Sequence, residues 1–112
     1  MATFVITGGK LNVDGSLDAD TEGELKDACA TLLGATESTI TLDLTKVNHI
    51  NSVSIGILVA LLMDLRAANK RAVLQPSARL KRILDMTGLT ETFARAAKAI
   101  EKPRSKSRKA QF

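Results

Sequence analysis

Catalytic constellations are nearly absent from this 112-residue chain, which has one histidine and one cysteine. His49 is the sole imidazole, three residues before Ser52 and six after Asp43, so a Ser/His/Asp nucleophile system can be drawn. Three common residue types within one region are what chance supplies. Cys29 is the only cysteine, which excludes an internal disulfide, and one cysteine with one histidine cannot build a cysteine-rich zinc site. Gly8-Gly9 reads as a turn, because neither GxxxxGK[ST] nor GxGxxG follows a strand. The acids Asp14, Asp18, Asp20 and Glu22 lack the spacing of a calcium loop and suit turn chemistry and helix capping. No catalytic residue, cofactor or metal site is expected from these residues.

What remains is a hydroxyl at the start of a helix. Asn51 and Ser52 both carry side-chain oxygens suited to an N-cap, and an apolar run to about Ala68 comes after them. First-turn N–H groups and the positive end of the helix dipole can accept a phosphate on Ser52 without melting the helix. A phosphoserine adds about −1.5 to −2 charge, which beside an apolar surface opposes docking of an apolar or acidic partner. Within the helix, Ile55, Leu58, Val59 and Leu62 form one stripe for a core, while Val53, Ile57 and Leu61 form a second at i, i+4, i+8, so that the helix is either covered on two sides by the domain or offers one stripe to a partner.

The elements that must position this helix alternate. Thr3–Thr7 and Lys10–Leu17 read as two strands of a hairpin around Gly8-Gly9. A helix comes next, capped by Asp18 or Asp20, with Glu22 and Glu24 in its first turn. Its core positions are Leu25, Ala28, Cys29, Leu32 and Leu33, and Gly34 ends it. Cys29 is thus expected in the core, with no neighbouring base or cation in the sequence to activate it. Thr39–Leu44 alternates as a strand, and Val47–Ile50 leads to the capped helix. Ala72–Gln75 is a last strand. Pro76-Ser77 opens a helix with Leu80, Ile83 and Leu84 on one face, which Gly88 ends. A final helix begins at Thr90 and carries Phe93, Ala97 and Ile100. The order β-β-α-β-α-β-α-α predicts an α/β sheet with packed helices.

The charge of +4 resembles a nucleic-acid signal only until it is located. Residues 1–101 carry eleven Lys/Arg against twelve Asp/Glu, whereas 102–112 carry five Lys/Arg and no acid. The expected organisation is one domain over 1–101 and a basic, disordered tail over 102–112. No direct nucleic-acid binding is expected, since three Phe with no Tyr or Trp leave no stacking platform. The longest apolar stretch, Val53–Met63, is too short to span a membrane, no signal peptide is expected from Met1–Lys10, and cysteine usage suits the cytoplasm.

Three segments, in order, resemble the STAS domain of the anti-sigma factor antagonist (anti-anti-sigma factor) family. LNVDGSLDADTEGEL resembles its L-x-G-x-L-D entry to the first helix. LDLTKVNHINSVSIGIL resembles its D-L-S-x-V-x-F-I-D-S-S-G-L-G-x-L signature, and LKRILDMTGLTETF its L-x-x-L-F-x-x-x-G-L segment. The resemblance implies a single-domain α/β fold, a four-stranded mixed β-sheet with flanking α-helices. It also implies no enzymatic activity of its own, and partner switching: the unphosphorylated protein binds an anti-sigma factor that is an ATP-binding, histidine-kinase-like serine kinase, phosphorylation releases it, and a serine phosphatase resets it. The phosphoacceptor falls on Ser52, with Asp18 expected beside it. The partner-binding set is Asp18, Asn51, Ser52, Val53, Ile57 and Leu61. Three positions depart from the signature: Asn51 replaces the acid before the acceptor, Val53 the next serine and Ser54 the glycine after that, so Ser54 becomes a second candidate acceptor. The alternative those departures allow is a constitutive STAS binding module without a phospho-switch, either a lipid-transport ATPase subunit or a signalling scaffold.

Overall fold

Leu11, Val13 and Leu17, then Ile40, Leu42 and Leu44, then Ala72 and Leu74 are buried, while Asn12, Thr41, Asp43 and Val73 between them are only half-buried. A period of two with one buried set gives strands with a covered face and an open face. The computed structural model describes residues 2–96 and 99–100. The strands are β1 (Ala2–Thr7), β2 (Lys10–Leu17), β3 (Thr39–Ile50), β4 (Arg71–Pro76) and a two-residue β5 (Ala99–Ile100), in spatial order β1-β2-β3-β4-β5. The first pair is antiparallel and the others are parallel, so β1 to β4 form the expected four-stranded mixed sheet and β5 extends it at the β4 edge.

The helices are α1 (Glu22–Leu33), preceded by a 3₁₀ turn at Ala19–Thr21, then α2 (Ser52–Ala67), α3 (Ala78–Thr87) and α4 (Thr90–Ala96). Each buries an apolar stripe in one continuous core. Leu25, Ala28, Cys29 and Leu32 come from α1, Ile55, Leu58, Leu61, Leu62 and Leu65 from α2, Leu80 and Leu84 from α3, and Phe93 from α4. Lys70 closes the far end of the α1–α2 pair: its Nζ donates to Ala35 O and Glu37 O, both at 2.7 Å. Gly88 ends α3 with φ 75°, a left-handed conformation that glycine adopts without a Cβ clash.

Several expectations change. The segment from Thr39 to Ile50 is one strand of 12 residues, with no break after Leu44. Pro76 is the last residue of β4, opposite Leu44, and Ser77 alone caps α3, its Oγ accepting from Leu80 N at 2.9 Å. Leu33 lies on the exposed side of α1. Ile100 is in β5 opposite Leu74, because α4 ends after seven residues and the chain then runs along the free edge of β4. Ala97 and the tail 102–112 lie outside the described residues.

Candidate functional site

The C-terminal ends of β2 and β3 meet where Leu17 lies opposite Ile50, and the next residue of each chain starts a helix. Asn51 N donates to Leu17 O at 2.9 Å, fixing the entry to α2 against the exit from β2. Asn51 is the N-cap of α2, with extended backbone (φ −94°, ψ 171°) and its Oδ1 accepting from Ser54 N at 2.8 Å. Its carbonyl accepts the first helical bond, from Ile55 N at 3.0 Å, and its Nδ2 donates to Glu22 Oε2 at 3.3 Å. One asparagine therefore joins β2, α1 and α2.

Asp18 occupies the equivalent post on the neighbouring segment. Its Oδ1 accepts from Asp20 N at 3.1 Å, while its own N–H donates to Thr21 Oγ1 at 3.0 Å, a reciprocal cap on the 3₁₀ turn. Asp18, Asp20 and Glu22 thus stand at two adjacent helix starts, and one of them ties α1 to α2. Ser52 is the first residue of α2 and is exposed, with no hydrogen bond to its hydroxyl among the described residues. Because Asn51 performs the capping, the Ser52 Oγ is left free of a structural duty. Ser54 differs: it is fully buried, its Oγ has no hydrogen-bond partner, and it is not presented to a modifying enzyme in this conformation.

The apolar positions of α2 divide in a way the sequence did not show. Leu61 is buried and Val59 half-buried, the reverse of their expected roles, because α1 lies against α2 and covers the Leu61 side. Val53 is 51% exposed and Ile57 half-buried. Between the two helices runs a shallow groove of about 350 Å³, lined by Lys26, Cys29, Ala30, Leu33, Ile57, Ala60, Leu61 and Asp64. The Cys29 thiol on its floor is pushed up to about 11 by burial, so it stays protonated at neutral pH and is a poor nucleophile.

The family model described as "Mlab, STAS domain" matches residues 4–97. The chain belongs to the STAS-domain family. Solved structures share the fold. An anti-sigma factor antagonist from Mycobacterium paratuberculosis is 21% identical at a TM-score of 0.66, covering 91% of this chain and 86% of that one. The Bacillus antagonist SpoIIAA in its unphosphorylated form is 18% identical at 0.62, over 81% of this chain and 84% of that one. Its phosphorylated form is 20% identical at 0.58, over 81% and 86%.

In this STAS domain the hypothetical nucleophile system does not assemble. His49 is exposed on β3 opposite Ser16, six residues along the strand from Asp43, a separation of about 20 Å at ~3.3 Å per residue. Asp43 is committed elsewhere: burial raises its pKa, but the hydroxyl and N–H of Thr45 and the Lys10 ammonium at 3.6 Å outweigh that and hold the carboxyl below its usual range. Sequence reasoning missed the bond between Glu22 and Asn51, having assigned Glu22 to turn and capping chemistry and to the helix dipole. The signal was non-local, since the 29-residue separation closes only when Leu17 and Ile50 are paired.

Proposed function

We propose that this STAS domain is an anti-sigma factor antagonist of a cytoplasmic partner-switching pathway. In its unphosphorylated form it docks on an ATP-binding anti-sigma factor that is also a serine kinase. Transfer of the γ-phosphoryl group of ATP to Ser52 Oγ, with ADP leaving and the hydroxyl proton passing to the kinase, ends the docking. A serine phosphatase restores the free hydroxyl. The observation that carries the reading is the division of labour at the start of α2: Asn51 supplies the cap, and Ser52 presents an exposed, unbonded hydroxyl one residue later. Helix and sheet connections therefore survive phosphorylation, and the new charge sits beside exposed Val53, where it alters docking rather than folding. That a protein of this fold exists in both phosphorylated and unphosphorylated forms supports the same reading.

A constitutive STAS module, such as a subunit of a lipid-transport ATPase or a signalling scaffold, is the second reading. Asn51 favours it, standing where the signature has an acid. The two separate on one measurement. Ser52→Asp is expected to bind the anti-sigma kinase at least about tenfold more weakly than Ser52→Ala, or about 1.4 kcal/mol, with both variants folded by circular dichroism. Equal affinities, with no phosphate on the tryptic peptide Val47–Arg66 after incubation with that kinase and ATP, select the constitutive module.

A further inference from the structure

The sheet ends on one side in β1, and that edge lacks the features that keep a free strand from pairing with another chain. Its sequence, ATFVIT, has no proline and no charge, and all six residues pair with β2 in unbroken register. The opposite edge, β5, is only two residues long.

The two-residue turn Gly8-Gly9 decides which backbone groups are free. Thr7 and Lys10 flank it as a hydrogen-bonded pair, so Thr7, Val5 and Thr3 direct their N–H and C=O toward β2, and Ile6, Phe4 and Ala2 direct theirs outward. The β2–β3 ladder agrees. Thr41 N donates to Gly9 O at 2.8 Å, which in a parallel pair turns Leu11 toward β3 and leaves Lys10 and Asn12 facing β1. Among the described residues, the outward groups of Phe4 and Ile6 have no backbone partner.

We propose that β1 is the seam of a symmetric homodimer in which it pairs antiparallel with β1 of a second copy, Phe4 opposite Phe4 and Ala2 opposite Ile6. A two-fold axis turns any strand antiparallel to its copy, and this register meets each outward donor with an outward acceptor. The uncharged strand brings no like charges to the axis. On the covered face, Phe4 and Ile6 are half-buried and packed against the core, and their counterparts would complete that burial. On the open face, Val5, 51% exposed, would lie opposite Thr3 of the second copy. Strand β5, the last described element, lies at the other edge of the sheet, on the far side of β4, β3 and β2. A six-residue seam buries less than the ~800 Å² per partner of a standard interface, so the dimer is weak and forms in the micromolar to millimolar range.

Sedimentation equilibrium and amide hydrogen exchange on the full chain at about 10 μM and about 1 mM test this, since a weak interface assembles only over such a range. The expected result is a shift from monomer to dimer, with the Phe4 and Ile6 amides exchanging at least about tenfold more slowly in the dimer while those of Val5 and Thr7, bonded to β2, are unchanged. A monomer at the higher concentration overturns the proposal, as does a dimer whose Phe4 and Ile6 exchange ignores concentration. Val5→Lys, at a half-exposed site, is expected to keep the fold and abolish the dimer by placing two cations near the axis. Thr3→Lys, also exposed, repeats the test if the first variant folds poorly, and a dimer that persists in a folded Lys variant rejects the seam.

Discussion

Asn51 shows how one side chain reconciles two demands on the start of α2. The cap needs an acceptor toward Ser54 N, and Glu22 needs a donor, and an amide supplies both where a carboxylate supplies only the first. The departure at Asn51 is thereby coupled to Glu22, whose Oε2 lies 3.3 Å from Nδ2. Asn51→Asp, which restores the acid of the family signature, is expected to keep the cap but to set two carboxylates against each other. The repulsion needs both carboxylates charged, so the cost relative to the parent is present at neutral pH and is relieved as acid protonates one of them. Urea denaturation at pH 7 should show a loss of about 1–2 kcal/mol that shrinks toward pH 4. A loss independent of pH would mean that geometry and not charge makes the amide necessary. Ser54 shows the opposite economy, a fully buried hydroxyl without a partner where the signature has glycine.

The strand hairpin and the β3–β4 connection place these residues, and their tightest point is Gly9. A Cβ there would come within 2.7 Å of Thr39 O and 2.9 Å of Glu37 Cβ, and the first of these is backbone that cannot rotate away. Gly9→Ala is expected to destabilise by about 1–3 kcal/mol, read by thermal or urea unfolding, whereas Gly56→Ala, which meets nothing within 4 Å, should not destabilise. Elements with clean periodicity were legible from sequence: Lys10–Leu17 alternates, and Ser77 and Gly88 bracket α3. Those decided by non-local contacts were not. Thr45, Lys46, Asn48 and His49 are all exposed, so β3 loses its period of two after Leu44, where the β2–β3 register also shifts, and only pairing with β2 shows that the strand continues. An α2 apolar on nearly every side carries no mark of which stripe α1 will cover, so Leu61 and Val59 exchanged roles. Ile100, seven residues after Phe93, has helical spacing, yet the vacant edge of β4 takes it as strand. The candidate site was legible as residue types at a helix start, but the assignment of cap to Asn51 and free hydroxyl to Ser52 needed the Leu17–Ile50 pairing.

Charge is divided unevenly over the whole molecule, between a nearly neutral packed domain and a basic C-terminal segment. Among the described residues the buried core runs from Ala2 to Phe93, and residues 1–101 carry eleven Lys/Arg and twelve Asp/Glu. The five cations of 102–112 therefore account for the basic character of the chain. Deleting 102–112 is expected to leave the unfolding free energy within about 0.5 kcal/mol of the parent, the range of surface changes that touch no core contact. The same deletion should abolish retention on a polyanion such as heparin. In the intact chain, five cations set a ceiling on binding to duplex DNA: the slope of log K against log salt should be no steeper than about −4.5. A steeper slope would require cations of the domain itself, and a marked loss of stability on deletion would mean that the tail packs on the domain. If neither is found, STAS domain and tail are energetically separate, and the +4 of the chain says nothing about the surface around Ser52.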